Sequence, residues 1–293
     1  QNYLIQQYEK TGRLRINHNY LREQFSDYKE IFEDLKKLIQ DGDYTLGKPV
    51  NEFEKNFSKI INVKYAVGVN SGTDALTLSL KALDVGYGNE VITTPNTFIA
   101  TVGAIVDTGA KPVFVDVRED YNINPDLIEE KITERTKAII PVHWTGLPCD
   151  MYKINAVAKR HNIYVVEDTS QAIKATLDDK FAGTFGITGC FSLHPLKNLN
   201  VWGDGGIIVT NNKKIYDKVS LLRNHGLKDR DMALIYGRNS RLDSVQAIVA
   251  NHLLNKLDYI IDSRINNAKF YDDELSKIDE IIIPERKPNI KQV

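Results

Sequence analysis

Tyr65-Ala66-Val67-Gly68-Val69-Asn70-Ser71-Gly72-Thr73-Asp74-Ala75-Leu76 is the stretch on which the fold turns. A short, continuously apolar run gives way to small polar residues. From Asp74 to Leu83 the leucines at 76, 80 and 83 then recur at helical spacing. A strand without polar alternation reads as buried on both faces, which is the signature of a parallel sheet covered by helices. The same alternation continues downstream. Strands are expected at Glu90 to Thr93, Pro112 to Val117, Ala138 to Val142 and Ile163 to Glu167, with helices around Thr97 to Val106 and over Met151 to His161. The fold class that follows is α/β, a three-layer sandwich around a mostly parallel sheet. In such sheets ligands bind beyond the carboxyl ends of the strands.

Upstream, Ile31, Phe32, Leu35, Leu38 and Ile39 predict a helix over Lys29 to Gln40, ended by Gly42. A second helix presents Val50, Phe53, Phe57, Ile60 and Ile61 after the turn Leu46-Gly47-Lys48-Pro49. Downstream, Phe191-Ser192-Leu193 and Gly206-Ile207-Ile208-Val209-Thr210 read as strands joined by a loop too short for a helical crossover, so they should pair antiparallel. Apolar residues from Val245 to Ile261 form one helical stripe, expected to run on toward Leu275. The chain therefore divides into an N-terminal arm and helix (1–45), a large domain (46–258), and a linker helix with the start of a further domain (259–293).

At 293 residues, 42% of them hydrophobic, the chain can bury a large core, roughly three-quarters of its unfolded surface. Its 38 basic and 39 acidic residues are intermixed and sum to −1, so no global field favours nucleic acid or an anionic membrane. No apolar run approaches the ~18 residues of a membrane span. Cys149 and Cys190 lack CxxC spacing and the histidines show neither HxxxH nor HExxH, so no metal or disulfide framework is expected, and a reducing cytoplasm is the default. Because the chain starts at Gln1 rather than Met, an upstream piece is expected.

The polar residues with chemical interest follow the expected strands. Ser71-Gly72-Thr73 opens a helix, where free N–H groups and the dipole suit a phosphate; Ser71 would serve equally as a plain helix cap. The segment matches neither GxxxxGK[ST] nor GxGxxG. Glu167 and Asp168 end a strand, and since successive residues point to opposite faces, only one reaches a ligand; Asp168 is assigned to it and Glu167 to the structure. Lys197 lies in Phe191-Ser192-Leu193-His194-Pro195-Leu196-Lys197-Asn198. A lysine made less basic by burial can react with an aldehyde, and a buried carboxylate can hold a proton on a pyridine nitrogen. Lysine, acid and serine at strand ends together point to pyridoxal phosphate. Phe98 could stack on such a ring or fill the core, and Gln171 could donate to a phenolic oxygen or be merely solvated.

Six ordered motifs then carry a resemblance: Gly68-Val69-Asn70-Ser71-Gly72-Thr73-Asp74-Ala75-Leu76, Thr97-Phe98-Ile99-Ala100-Thr101, Glu167-Asp168 with Gln171-Ala172, Phe191-Ser192 with Lys197-Asn198, Gly203-Asp204-Gly205-Gly206, and Gly237-Arg238-Asn239-Ser240-Arg241-Leu242-Asp243. Over roughly residues 44 to 290 the chain resembles the DegT/DnrJ/EryC1/StrS family of nucleotide-sugar aminotransferases. The resemblance implies the aspartate aminotransferase fold (fold type I) and pyridoxal 5'-phosphate as cofactor. It makes Lys197 the Schiff-base lysine and proton shuttle, Asp168 the pyridinium partner and Gln171 the contact to the phenolic oxygen. Gly72, Thr73 and Ser192 would hold the phosphate and Phe98 would stack on the ring. Asn239 would reach the phosphate of a neighbouring subunit, which implies a homodimer with shared sites.

The implied reaction moves an amino group from an amino acid, L-glutamate by expectation, to a keto group of a nucleotide-linked deoxysugar. The form of Gly203-Asp204-Gly205-Gly206 favours C3 over C4. Another fold-type-I enzyme such as a sugar dehydratase is one alternative, although dehydratases of the family carry histidine where this chain has Lys197, and a noncatalytic regulatory or assembly protein on the same fold is the alternative from another class. Arg238 stands where the family usually has an aromatic residue. His143 and His194 read as satisfying strand-end hydrogen bonds rather than touching sugar. The family usually extends into a small C-terminal domain, of which this chain would hold only the beginning.

Overall fold

The computed structural model describes residues 21–293. The expected arm at the start of the chain lies outside the described residues up to position 20. In chain order the elements are α1 (Leu21–Gln24), α2 (Tyr28–Asp41), α3 (Lys48–Ile60), β1 (Tyr65–Val69), α4 (Gly72–Ala82), β2 (Glu90–Thr93), α5 (Ile99–Asp107), β3 (Lys111–Phe114), β4 (Thr136–Ile139), α6 (Met151–Arg160), β5 (Tyr164–Asp168), β6 (Thr176–Leu177), β7 (Lys180–Phe181), β8 (Thr188–Ser192), β9 (Gly206–Thr210), α7 (Lys213–Leu222), α8 (Ser244–Leu254), α9 (Leu257–Leu275) and β10 (Ile290–Lys291).

A seven-stranded sheet in the order β1-β9-β8-β5-β4-β2-β3 forms the middle layer. Only β9 opposes its neighbours: it pairs antiparallel with β1 and β8, while every other pairing in the sheet is parallel. The short connection from β8 to β9 therefore makes the antiparallel step expected of it. The carboxyl ends of β1, β8, β5, β4 and β2 consequently lie along one edge of the sheet.

Strand geometry sends successive side chains to opposite layers. Phe191, Ile207 and Val209 pack with Phe53, Phe57, Leu253 and Ile261 on one face, whereas Val67, Val69, Cys190 and Ile208 pack with Leu76, Leu80, Ile105 and Val219 on the other. Phe57 of α3 meets Phe191 of β8 edge-on at 5.2 Å between centroids. Both rings are fully buried, worth about 1.5–3 kcal/mol each in apolar transfer.

β1 is an edge strand, and its outer backbone groups need partners. The N–H of Gly68 donates to Glu54 Oε1 at 2.8 Å and its carbonyl accepts from Arg223 Nη1 at 2.7 Å. Arg223 also pairs with Glu54. Truncating Arg223 would strand a buried carboxylate, at a cost of about 3–5 kcal/mol.

The stripe expected to form one helix from Val245 onward is broken between α8 and α9 at Asn255-Lys256. There the chain tightens, with Asn255 N–H on the His252 carbonyl and Lys256 N–H on that of Leu253. The Lys256 ammonium is drawn to Asp27, which also accepts from His252 Nε2 at 3.0 Å. A long-range ion pair, invisible in local periodicity, thus marks the break. Among the described residues no helix is long and apolar enough to cross a membrane.

Candidate functional site

The site grows from the turn after β1. Ser71 caps α4, its Oγ accepting from the Asp74 N–H at 3.0 Å. The N–H groups of Gly72 and Thr73, in the first turn, have no carbonyl to bond within the helix. The turn is pressed onto the neighbouring strands. A β-carbon on Gly72 would lie 2.7 Å from the Ser192 β-carbon, and one on Gly206 would lie 2.3 Å from the Ser71 carbonyl oxygen. Glycine at both positions is what allows this close approach. Gly72, Thr73 and Ser192 are thereby brought to one spot, at the adjoining ends of β1, β9 and β8.

Asp168 ends β5, the strand next to β8, and is buried. Its Oδ2 accepts from Thr101 Oγ1 at 2.8 Å and its Oδ1 from the Ser170 N–H at 3.1 Å. Thr97 Oγ1 lies 2.7 Å from Thr101 Oγ1. Sequence reasoning quoted Thr97 and Thr101 without assigning them a role; their i, i+4 spacing across a helix start was the available signal.

Glu167 points to the opposite side and is fully buried. It accepts from the N–H groups of Gly183 (2.8 Å), Phe185 (2.7 Å) and Gly186 (2.6 Å) and from His143 Nε2 (3.0 Å). The Cys149 N–H donates to His143 Nδ1 at 3.0 Å, so the proton sits on Nε2. Both ring nitrogens of His143 are used up in this network, as expected for a strand-end residue rather than a sugar contact.

Lys197 sits in the β8–β9 loop. That loop is pinned at its base by the Leu193 N–H on the Gly205 carbonyl and the Val201 N–H on the Leu193 carbonyl. The Lys197 N–H bonds the His194 carbonyl at 2.8 Å, and its own carbonyl accepts from Asn200 Nδ2 at 2.9 Å. Burial lowers the Lys197 ammonium below its ordinary range, and the nearby negative charge of Asp168 opposes that shift. Lysine and acid therefore share one electrostatic neighbourhood although one comes from the β8–β9 loop and the other from the end of β5.

Phe98 precedes α5 with its side chain 68% exposed, so it is no core residue. Gln171 follows Asp168 in the turn after β5, half-buried. Asn239 is exposed; its backbone bridges to Asn224. Arg238 beside it pairs with Asp107 at 3.0 Å and lies 3.7 Å from Asp74 in the first turn of α4. Ser240 Oγ reaches Asn70 Oδ1 at 3.4 Å. The segment carrying Asn239 thus runs along the rim of the cradle of its own chain.

The chain is similar to several known proteins. A pleiotropic regulatory protein of Geobacillus stearothermophilus is 41% identical over 253 residues, covering 86% of this chain and 68% of the relative. A UDP-N-acetyl-3-dehydro-alpha-D-glucosamine 3-aminotransferase of Acidithiobacillus ferrooxidans is 42% identical over 261 residues, covering 88% and 71%. The crystal structure of S. venezuelae DesV in complex with a ketimine intermediate superposes with a TM-score of 0.90 at 35% identity, covering 96% of this chain and 76% of DesV. The profile of the DegT/DnrJ/EryC1/StrS aminotransferase family matches residues 26–292, and the chain belongs to that family.

Proposed function

We propose that the protein is a pyridoxal-phosphate-dependent aminotransferase that moves an amino group from an amino acid, L-glutamate in the first instance, to a keto group of a nucleotide-linked deoxysugar. The observation that carries this reading is the meeting of a buried acid, a lysine made less basic by burial and a glycine-pressed helix start along one sheet edge. The residues fit the cofactor. The Gly72 turn offers N–H groups in space that a β-carbon would need, and it faces Ser192, a hydroxyl donor.

In this reading residues 46–258 form the cofactor-binding unit. Gly72 and Thr73 N–H groups and the Ser192 hydroxyl bind phosphate oxygens. Phe98 covers a ring face, Gln171 donates to the phenolic oxygen, and Asp168 accepts from the ring N–H. Pyridoxal phosphate supplies an aldehyde that condenses with amines and a protonated ring that accepts the electron pair left when a C–H bond breaks. Lys197 Nζ, whose ammonium is disfavoured by burial, would carry that proton between the substrate-derived carbon and the cofactor's aldehyde carbon.

Asn239 of the partner subunit completes the phosphate site in a homodimer. The exposed apolar stripe of α5 supports this, with Ile99 at 71% and Val106 at 57% exposure beside Phe98. Cys149 and Cys190, both free and buried, suit the reducing cytoplasm in which we place the enzyme. Amination at C3 is favoured, as in the Acidithiobacillus relative's name.

The experiment is to reconstitute the protein with pyridoxal phosphate, add glutamate, and follow the visible absorbance and the release of 2-oxoglutarate. Product formation from UDP- and dTDP-linked 3-keto sugars is then read by mass. A change of absorbance with 2-oxoglutarate release supports transamination. The Geobacillus relative's name favours a second reading, a regulatory protein on the same fold; a protein that binds nucleotide sugar and leaves glutamate untouched would establish it.

A further inference from the structure

Resting on the reading in which Asp168 meets the ring nitrogen, we infer that Thr97 and Thr101 form a positioning relay that fixes the Asp168 carboxylate and keeps the shared proton on the ring. The direction of the relay follows from donor arithmetic. Asp168, ionised, only accepts, so Thr101 Oγ1 spends its single proton on Oδ2 at 2.8 Å. At 2.7 Å the remaining contact of that oxygen must then be one it accepts, which makes Thr97 the donor. The Ser170 N–H holds the other oxygen at 3.1 Å.

The carboxylate is thus gripped on both oxygens from two different elements, α5 and the turn after β5, and its plane is set before any ligand arrives. Each oxygen keeps a lone pair for one more donor. Thr101 and Asp168 are both buried, and hydrogen bonds in series polarise one another in such surroundings. Donors to a carboxylate stabilise its anion and lower its affinity for a proton. Two donors on the carboxylate therefore favour the ion pair, in which a proton shared with a ring nitrogen stays on the nitrogen and keeps the ring electron-poor.

The geometry also ties two parts of the site together. Thr97 immediately precedes Phe98, and the Thr101 N–H bonds the Phe98 carbonyl at 3.1 Å. The helix start that presents the Phe98 ring is the one that orients the acid. β-Branching restricts χ1 of both threonines, and serine would keep the hydroxyl while losing that stiffness.

The test uses the protein reconstituted with pyridoxal phosphate and four forms: wild type, Thr101→Val, Thr101→Ser and Thr97→Val. Two quantities are read, the pH midpoint of the visible absorbance of the bound cofactor and the single-turnover rate with glutamate. Thr101→Val is expected to retain cofactor, to raise the midpoint by about one unit and to slow the half-reaction about ten-fold, the size of one charge-assisted hydrogen bond. Thr101→Ser should stay near wild type, and Thr97→Val should shift the midpoint less, in the same direction.

A Thr101→Val midpoint and rate equal to wild type would overturn the relay, as would a serine variant as impaired as the valine. If Thr101→Val does not fold, Thr97→Val decides, and an unshifted midpoint there rejects the inference. Failure of the cofactor reading is separately visible, since wild type itself would then bind no pyridoxal phosphate; the relay falls with it.

Discussion

The acid end and the amine end of the site are built in opposite ways. Asp168 closes a strand in the middle of the sheet, is buried, and has both oxygens bonded by groups from separate elements. Lys197 hangs in a loop whose hydrogen bonds are almost all internal, next to the exposed His194 and Leu196. The difference matches what each group would have to do. A group that holds a charge in place gains from preorganisation, because no reorganisation is then needed as charge develops. A group that carries a proton between two atoms needs a long side chain with room to swing. The cradle belongs with the rigid end, since Gly72 and Gly206 leave no space for adjustment.

Replacing the mobile group should break the contrast most severely. Lys197→Ala is expected to bind pyridoxal phosphate yet lose turnover by about 10³-fold or more, as befits removal of the proton carrier. Single-turnover absorbance with glutamate measures this. At the rigid end, Asp168→Asn keeps the shape and removes the charge. Turnover should fall roughly 10- to 150-fold, which corresponds to the 1.5–3 kcal/mol of a hydrogen bond to a charged group, with cofactor still bound by equilibrium dialysis.

Gly72→Ala probes rigidity itself. The new β-carbon meets that of Ser192 at 2.7 Å, and overpacking of this kind costs about 1–3 kcal/mol, read as a lower Tm. Adding Ser192→Gly should restore the Tm and leave cofactor affinity low, because the hydroxyl donor is then gone.

The smallest effect concerns protons. Burial makes the Lys197 ammonium less favourable in the folded chain than its ordinary value of 10.5 would allow. Without cofactor, that penalty is present in full below the folded pKa. It disappears as pH rises from there to 10.5. Denaturant titrations of wild type and Lys197→Met at a series of pH values should therefore show wild type gaining relative to the variant on the alkaline side.

The sheet was legible because strands such as β1 are continuously apolar and are joined by helices whose leucines or valines keep a 3.6-residue rhythm. Gly42 closes α2 with a positive φ of 67°, as its place in the sequence implied. Other elements went unread for physical reasons. The hairpin of β6 and β7 turns on Asp178-Asp179, both at positive φ, without the Asn-Gly or Asp-Gly pair that usually announces such a turn. α7 did carry a signal that was passed over: Asn212 caps it, accepting from Lys214 and Ile215, and Ile215, Val219 and Leu222 line its buried face. The break between α8 and α9 could not be seen at all, since it coincides with a contact between Lys256 and Asp27.

The candidate site divides the same way. Gly72, Thr73, Asp168, Ser192 and Lys197 were legible as candidates because each ends or follows a strand and lies in one of the motifs that resemble the family. The contact of Thr101 with Asp168 and the donors to Glu167 span long sequence separations that no local pattern reports; only the i, i+4 spacing of Thr97 and Thr101 was local.

Borohydride reduction of the protein reconstituted with pyridoxal phosphate, followed by peptide mapping, tests the central claim most directly. The account predicts the reduced cofactor on Lys197, in the peptide spanning His194 to Asn198. A label on a different lysine, or none on protein shown to bind the cofactor, would contradict it.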